Sequence, residues 1–425
     1  MENRCKGIDI DDRKITLREQ IRLLLLRLLA HLPSPIPQPP TSNLQPPTSI
    51  LIIRPDHLGD LLFLTPALRV LREALPEARL TALIGPWARP ILENNPHLDE
   101  ILTCEFPGFT RRPKPSLFQP YSLLWREAKK LRKRSFDCAV IFRFDHWWGA
   151  LMAYLVGVRR RVGYDIPEVA PFLTEATPYV PGKHEVEQNL TLVKKLLGKP
   201  LSRPLSPASF PLEFFIAGED EAFAESYLAE RGVQEGETLV CIHPGAGAPV
   251  KLWREEGWAR VASALAEHFS AKVLLSGSAQ EEPMLERIAR GARTLLESQE
   301  AGPILTAGKL DLGKLAAIMA RSRLVLGVDS GPLHLAVAVG APSVHLYGPE
   351  DPRAFGPWGD PAQHVVIAAE RDCVPCNRLD YTLDELDAHP CVRDIPIEKV
   401  LEASFRLMGV QQEFRARVKL QADGG

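Results

Sequence analysis

One stretch, residues 324–352 (LVLGVDSGPLHLAVAVGAPSVHLYGPEDP), leaves few folds open to this chain. Leu324–Val328 is an apolar run of the kind that forms a buried strand. Asp329-Ser330-Gly331-Pro332 breaks it, residues 333–339 read as a helix, and Gly340-Ala341-Pro342 stops that helix. Ser343–Tyr347 is the next strand, ending in a second loop at 348–352. Gly331 has no Cβ and lets the backbone approach a ligand closely. Pro332 suits a first helical turn, where its missing N–H is not needed. The unpaired N–H groups of the helix start, at its positive dipole end, form a site for phosphate or another anion. Asp329 stands at a strand's carboxyl end, where open parallel sheets bind ligands. Taken alone, these residues read equally well as a helix cap made by Asp329 or Ser330.

The rest of the chain repeats the pattern. Apolar runs at 50–54, 79–84, 100–103, 137–142 and 159–163 alternate with helical spacing at 61–75, 87–95, 123–134, 147–156 and 184–197. A second series has strands at 239–243, 272–276, 304–306, 324–328 and 343–347. Its helices fall at 217–231, 255–269, 280–290, 312–320 and 333–339. Alternation of this kind implies parallel α/β sheets, and 425 residues exceed one ordinary core. The expected division is a basic amphipathic helix over 1–32, a proline-rich linker over 33–49, Rossmann-like domains over 50–210 and 211–405, and a tail over 406–425. Two such domains facing each other would leave a cleft lined by strand ends and helix starts.

The ends and the composition restrict function. Leu17, Ile21, Leu24, Leu25, Leu28 and Leu32 recur at helical spacing among Arg13, Lys14, Arg18, Arg22 and Arg27. Such a helix lies either on an anionic membrane surface or against protein. No apolar run is long enough to cross a bilayer. A formal charge of -2 argues against a nucleic-acid partner. Seven cysteines, without a secretory signal pattern, suit a reducing, cytoplasmic setting. Cys373, Cys376 and Cys391, with His389 close by, allow zinc, a thiol pair or free thiols; the spacing is not finger-like, and no metal is expected.

Three loops carry candidate chemistry. Gly59-Asp60 precedes the first domain's first helix. His243-Pro244-Gly245-Ala246-Gly247 is followed by Lys251-Leu252-Trp253. Asp329-Ser330-Gly331-Pro332-Leu333-His334 is the third. Gly245 and Gly247 would expose backbone N–H groups to phosphate oxygens, and Lys251 would neutralise a diphosphate. Neither a Walker A spacing nor a G-x-G-x-x-G fingerprint is present. In the first domain Arg143-Phe144-Asp145-His146-Trp147-Trp148 follows a strand and is placed for a cleft, whereas Arg126 to Arg134 reads as a solvated helix face.

IIRPDHLGDLLFLTPALRVLR, HPGAGAPVKLW and LVLGVDSGPLHLAVAVGAPSVHLYGPEDP, in that order, resemble the ADP-heptose:lipopolysaccharide heptosyltransferase family, glycosyltransferases of the GT-B fold. The resemblance implies an inverting transferase without metal or cofactor, moving a heptose from ADP-heptose to an inner-core lipopolysaccharide acceptor. The acceptor would bind the first domain and the donor the second, with the C-terminal segment crossing back to the first. The enzyme would be cytoplasmic and peripheral on the inner face of the cytoplasmic membrane. By the same resemblance Asp60 is the general base. Lys251, Ser330, Gly331 and His334 meet the diphosphate, helped by Gly245, Ala246 and Gly247. Glu281 holds the nucleotide ribose, and Asp329 lies at the donor sugar. Gly59, Arg143 and His146 are candidates for the acceptor. The alternatives are a related transferase with another nucleotide sugar or glycan acceptor, and a non-catalytic nucleotide-sugar or glycan-binding protein.

Overall fold

The computed structural model describes residues 23–24, 26–28, 46–110, 118–296, 302–382 and 384–409. Most of the expected N-terminal helix, linker and C-terminal tail lies outside these residues. The chain divides into two compact units, with the break between Phe210 and Pro211.

The first unit is built on a parallel sheet of β1 (Ser49–Arg54), β2 (Arg79–Ile84), β3 (Glu100–Thr103), β4 (Cys138–Ile141), β5 (Arg160–Tyr164) and β6 (Glu175–Thr177), in the order β3-β2-β1-β4-β5-β6. Its main helices are α1 (Leu58–Ala74), α2 (Gln119–Leu131), α3 (Trp147–Val156) and α4 (Glu185–Leu197). Side chains alternate between the two faces of a strand. Leu51 and Ile53 of β1 therefore join one core with Leu124, Ala128 and Leu131 of α2 and Trp148 to Ala153 of α3. Ile50 and Ile52, equally buried, point to the opposite face, and α1 packs on α4.

The second unit repeats this topology. Strands β7 (Leu239–His243), β8 (Lys272–Leu275), β9 (Ile304–Leu305), β10 (Leu324–Val328), β11 (Ser343–Tyr347) and β12 (His364–Ala368) run parallel in the order β12-β11-β10-β7-β8-β9. Its helices are α5 (Gly218–Ala229), α6 (Glu255–Phe269), α7 (Glu282–Leu295), α8 (Leu312–Arg321), α9 (Gly331–Ala338) and α10 (Ile397–Leu407). One core joins alternate residues of β7, β8, β10 and β11 to α6, α7 and α10. The fold class is the expected one: two Rossmann-like α/β units with parallel sheets. In each, strand order reverses beside the first strand, between β1 and β4 and between β7 and β10. Connections leaving to opposite sides open a crevice there.

Several expectations change. Helix α1 begins at Leu58, so Gly59 and Asp60 belong to its first turn rather than to the preceding loop. The helix expected at 87–95 is a 3-10 turn, Pro86–Ala88, running into the short helix Arg89–Leu92. Strands β6 and β12 were not anticipated. Near the C-terminus α10 packs on α6 and β11 of its own unit, and the expected tail beyond residue 409 lies outside the described residues.

Gly327 shows why the switch strand needs its sequence. A Cβ there would lie 2.5 Å from the His243 carbonyl oxygen and 2.3 Å from Leu333 Cδ2. Backbone cannot yield as a flexible side chain can, so overpacking is costly. We expect Gly327→Ala to destabilise the protein by about 1–3 kcal/mol; an unchanged urea midpoint would refute this account of β10.

Candidate active site

The second unit gathers its candidates at the switch point. Lys251 ends a 3-10 turn, Pro249–Lys251, just beyond β7. Trp253 anchors that turn: its indole N–H donates to the Ile395 carbonyl at 3.0 Å, and its ring meets Trp258 edge-on. Lys251 Nζ thereby donates to Asp329 Oδ2 at 2.7 Å and lies 3.4 Å from Glu350 Oε1. Burial would raise the Asp329 carboxyl, but His334, 3.7 Å away, and the Lys251 charge prevail and hold it at about 2. Burial works against the Lys251 ammonium too; Asp329 and Glu350 outweigh it, so the lysine is held charged.

This geometry answers the helix-cap question. Asp329 is committed to Lys251, and Ser330, at the N-cap of α9, makes no side-chain cap bond. Its Oγ is buried with no hydrogen-bond partner among the described residues. A buried polar atom without a partner asks for one. Here it lies at a helix start, where an anionic oxygen is favoured. Gly331 opens α9, and His334 is buried within it.

Gly245 and Glu281 are brought together. A Cβ on Gly245 would fall 2.0 Å from Glu281 Oε1, so with any other residue there the carboxylate would have to move. Glu281 closes a capping box: its Oε2 accepts from the Ser278 N–H at 2.7 Å and from the Ser278 hydroxyl at 2.8 Å. This fixes it over the loop after β7, where Ala246 is half-buried and Gly247 exposed. Cys373 and Cys376 are half-buried, Cys391 is buried, and none of the three is joined in a disulfide. Among the described residues no group of three or more His, Cys, Asp or Glu has the geometry to hold a metal ion.

The first unit's site is organised by a residue the sequence reading passed over, Arg54, the last residue of β1 and 2% exposed. Its Nε pairs with Asp56 Oδ2 at 2.6 Å. Its Nη1 donates to the Phe142 carbonyl at 3.1 Å and to Asn189 Oδ1 at 3.0 Å. Its Nη2 reaches Glu185 Oε2 at 3.0 Å and Asp60 Oδ1 at 3.5 Å. Glu185 and Asn189 share the inner face of α4, whose start is set by the His184 ring accepting from the Val186 N–H. Arg143, after β4, closes on Asp56 from the other side and also holds Asp145.

Asp60 differs from its neighbours. Asp56 is 2% exposed and Glu185 7%, whereas the Asp60 side chain keeps 28%. Burial, then the adjacent Asp56 charge, raise its carboxyl; Arg54 opposes them, and the balance stands at about 6. Asp56 is itself held low: burial would raise it, but Arg54 and Arg143 prevail. One carboxylate of the cluster is thus accessible and near neutrality while those beside it are locked in ion pairs. Gly59 lies next to it, half-exposed.

His146 departs from the expectation of an acceptor contact. It is 4% exposed, packed edge-on against Phe106 and Phe109. Burial pushes its imidazole down to about 3, leaving the ring neutral. It fills the core beneath Arg143 rather than offering a charge at the surface. Arg143 remains partly exposed. Arg54, Asp56, Glu185 and Asn189 were missed. Arg54 and Asp56 lie inside IIRPDHLGD, where the signal was a charged pair directly ending an apolar strand.

The comparisons with known proteins agree with this picture. The model of glycosyltransferase family 9 (heptosyltransferase) matches residues 124–386. Lipopolysaccharide heptosyltransferase 3 of Escherichia coli K12 is 26% identical over 356 residues, covering 82% of this chain and 95% of that protein. Among solved structures, a glycosyl transferase family 9 protein from Veillonella parvula superposes with a TM-score of 0.66 at 24% identity, over 85% of this chain and 98% of that one. E. coli ADP-heptose LPS heptosyltransferase II gives 0.65 at 21% identity, again over 85% and 98%. The two superpositions bear on the fold.

Removing Arg54 strands two buried carboxylates. Breaking a buried ion pair from one side costs roughly 3–5 kcal/mol, and Arg54→Ala should lose stability of that order at neutral pH. A chemical denaturation curve matching that of the unaltered protein would show that Arg54 does not hold the cluster.

Proposed function

Because the chain belongs to glycosyltransferase family 9, the heptosyltransferases, we propose that it moves a heptose from ADP-heptose to an inner-core lipopolysaccharide acceptor, inverting the anomeric centre without a metal. The observation that carries this reading is Asp60, a partly exposed carboxylate raised to about 6 among locked neighbours. A general base works best with a pKa near the operating pH. Asp60 takes the proton of the acceptor hydroxyl as that oxygen attacks the anomeric carbon. The bond from that carbon to the ADP oxygen breaks, and ADP leaves with its electron pair and added negative charge.

The donor belongs to the second unit in this reading. Lys251, the unpartnered Ser330 hydroxyl and the start of α9 meet the diphosphate, with Gly331 and the loop Gly245-Ala246-Gly247 offering backbone N–H groups. Oriented donors of this kind stabilise a leaving anion without rearranging. Asp329 sets the position of Lys251, and its second oxygen lies towards His334, on the side proposed for the donor sugar. Glu281 lies where a ribose hydroxyl would be held. The solved E. coli relative is named for ADP-heptose, and the nucleotide choice follows it. Arg143 would attract a phosphorylated acceptor. The enzyme acts in the cytoplasm against the inner face of the cytoplasmic membrane, with the N-terminal helix as one contact. Among the described residues no helix is long and apolar enough to cross a bilayer.

Three outcomes test the assignment. Asp60→Asn, which keeps size but cannot accept the proton, should cut ADP release in the presence of acceptor by about 10²–10⁴-fold; full activity would remove Asp60 from the mechanism. The base must be ionised, so kcat/KM should rise with pH through about 6. A profile already flat below pH 5 would mean that a different group takes the proton. Lys251→Ala should weaken stabilisation by ADP in thermal unfolding, and an unaltered ADP shift would place the diphosphate elsewhere.

A further inference from the structure

Helix α2 has an outer face that the transfer chemistry does not use. Leu124, Ala128 and Leu131 are buried in the first unit's core. Tyr121, Trp125, Lys129 and Arg132 follow one another at helical spacing on the outside. Tyr121 is 54% and Trp125 62% exposed, and Phe118, just ahead of the helix, 81%. Leu26 is buried in the same core cluster, while Leu24 and Leu28 on either side of it are 60% and 59% exposed.

Charge is concentrated here too. Residues 126–134 hold six basic side chains against one acidic, Glu127, in a chain whose formal net charge is -2. Glu127 takes Arg126 and Lys130, and Arg134 pairs with Glu100. Lys129 and Lys133 have no carboxylate partner among the described residues. The helix is also held in place. The Trp148 indole N–H donates to the Pro120 carbonyl at 3.0 Å at one end, and Arg132 Nε donates to the Leu155 carbonyl at 2.8 Å at the other. The aromatic rings are therefore displayed on a fixed scaffold.

We propose that this face of α2 docks on the surface of an anionic phospholipid bilayer. Tyrosine and tryptophan, with an apolar ring and a polar handle, favour the headgroup level. Lysines and arginines beside them are drawn to acidic headgroups. Exposed leucines fit an apolar boundary and contribute nothing to a nucleic acid, and lysine is depleted from protein–protein interfaces. Of the occupants available to an aromatic and basic face, the lipid surface uses every residue type present.

Vesicle flotation of the full-length protein tests the proposal. Vesicles of phosphatidylcholine alone are set beside vesicles of equal parts phosphatidylcholine and phosphatidylglycerol. The protein should float with the acidic vesicles, weakly or not at all with the neutral ones, and less as salt is raised. Tyr121→Ser with Trp125→Ser, and separately Lys129→Glu with Lys133→Glu, should each lower partitioning by at least about tenfold. Circular dichroism should show both variants folded, and ADP-induced thermal stabilisation should be unchanged. Binding by both variants equal to the unaltered protein overturns the proposal and leaves membrane contact to other parts of the chain. So does failure to float with acidic vesicles, or concentration-dependent self-association that the Tyr121/Trp125 variant abolishes.

Discussion

The first unit's site hangs on one buried guanidinium. Arg54 has three nitrogens, and each is taken: Asp56 by Nε, the Phe142 carbonyl and Asn189 by Nη1, Glu185 and Asp60 by Nη2. A planar fork can do this where a lysine's point charge cannot. The arrangement joins the end of β1, the end of β4 and the inner face of α4. It also divides the positive charge unequally. Asp56 and Glu185 are gripped closely and Asp60 loosely, at 3.5 Å. Burial and the adjacent Asp56 charge raise the Asp60 carboxyl to about 6 against this loose grip, while Asp56 is held low.

The second unit solves a different problem with the same topology. Its charges are paired differently, and under the proposed function they serve binding rather than proton transfer. Lys251 is held between Asp329 and Glu350, and Asp329 is pulled well down by that partner and by His334. The free capacity lies in groups that structure leaves unsatisfied, the Ser330 hydroxyl and the start of α9. A carboxylate whose pKa lies near the operating pH suits a proton acceptor, and a firmly charged lysine suits a phosphate. The two switch points are built to opposite electrostatic ends.

Close backbone approach is the other shared device. Gly327 lets β10 pass the His243 carbonyl, and Gly245 admits the Glu281 carboxylate. At Gly327 a side chain would meet backbone that cannot yield, and at Gly245 it would displace the Glu281 carboxylate, so both glycines answer to packing rather than to turn geometry.

Five of the six strands in each series and most helices were legible because strand and helix periodicity is a local property, repeated every two or 3.6 residues. The strands that escaped notice lacked that signal: Glu175–Thr177 is three residues long with a charged start, and His364–Ala368 is a half-exposed edge. Asp60, Lys251 and Asp329 were legible because they flank loops at strand ends. Which groups surround them was not. Glu185 meets Arg54 across 131 residues of chain, Asn189 across 135, and Lys251 meets Asp329 across 78. No spacing rule reaches that far, and His146, three residues after Arg143 in a promising loop, turned inward. The sequence by itself determined two parallel α/β halves and the loops where chemistry can occur. Only the tertiary structure decided which acid stays exposed and near neutrality, because a pKa is set by burial and by charges that folding alone brings together.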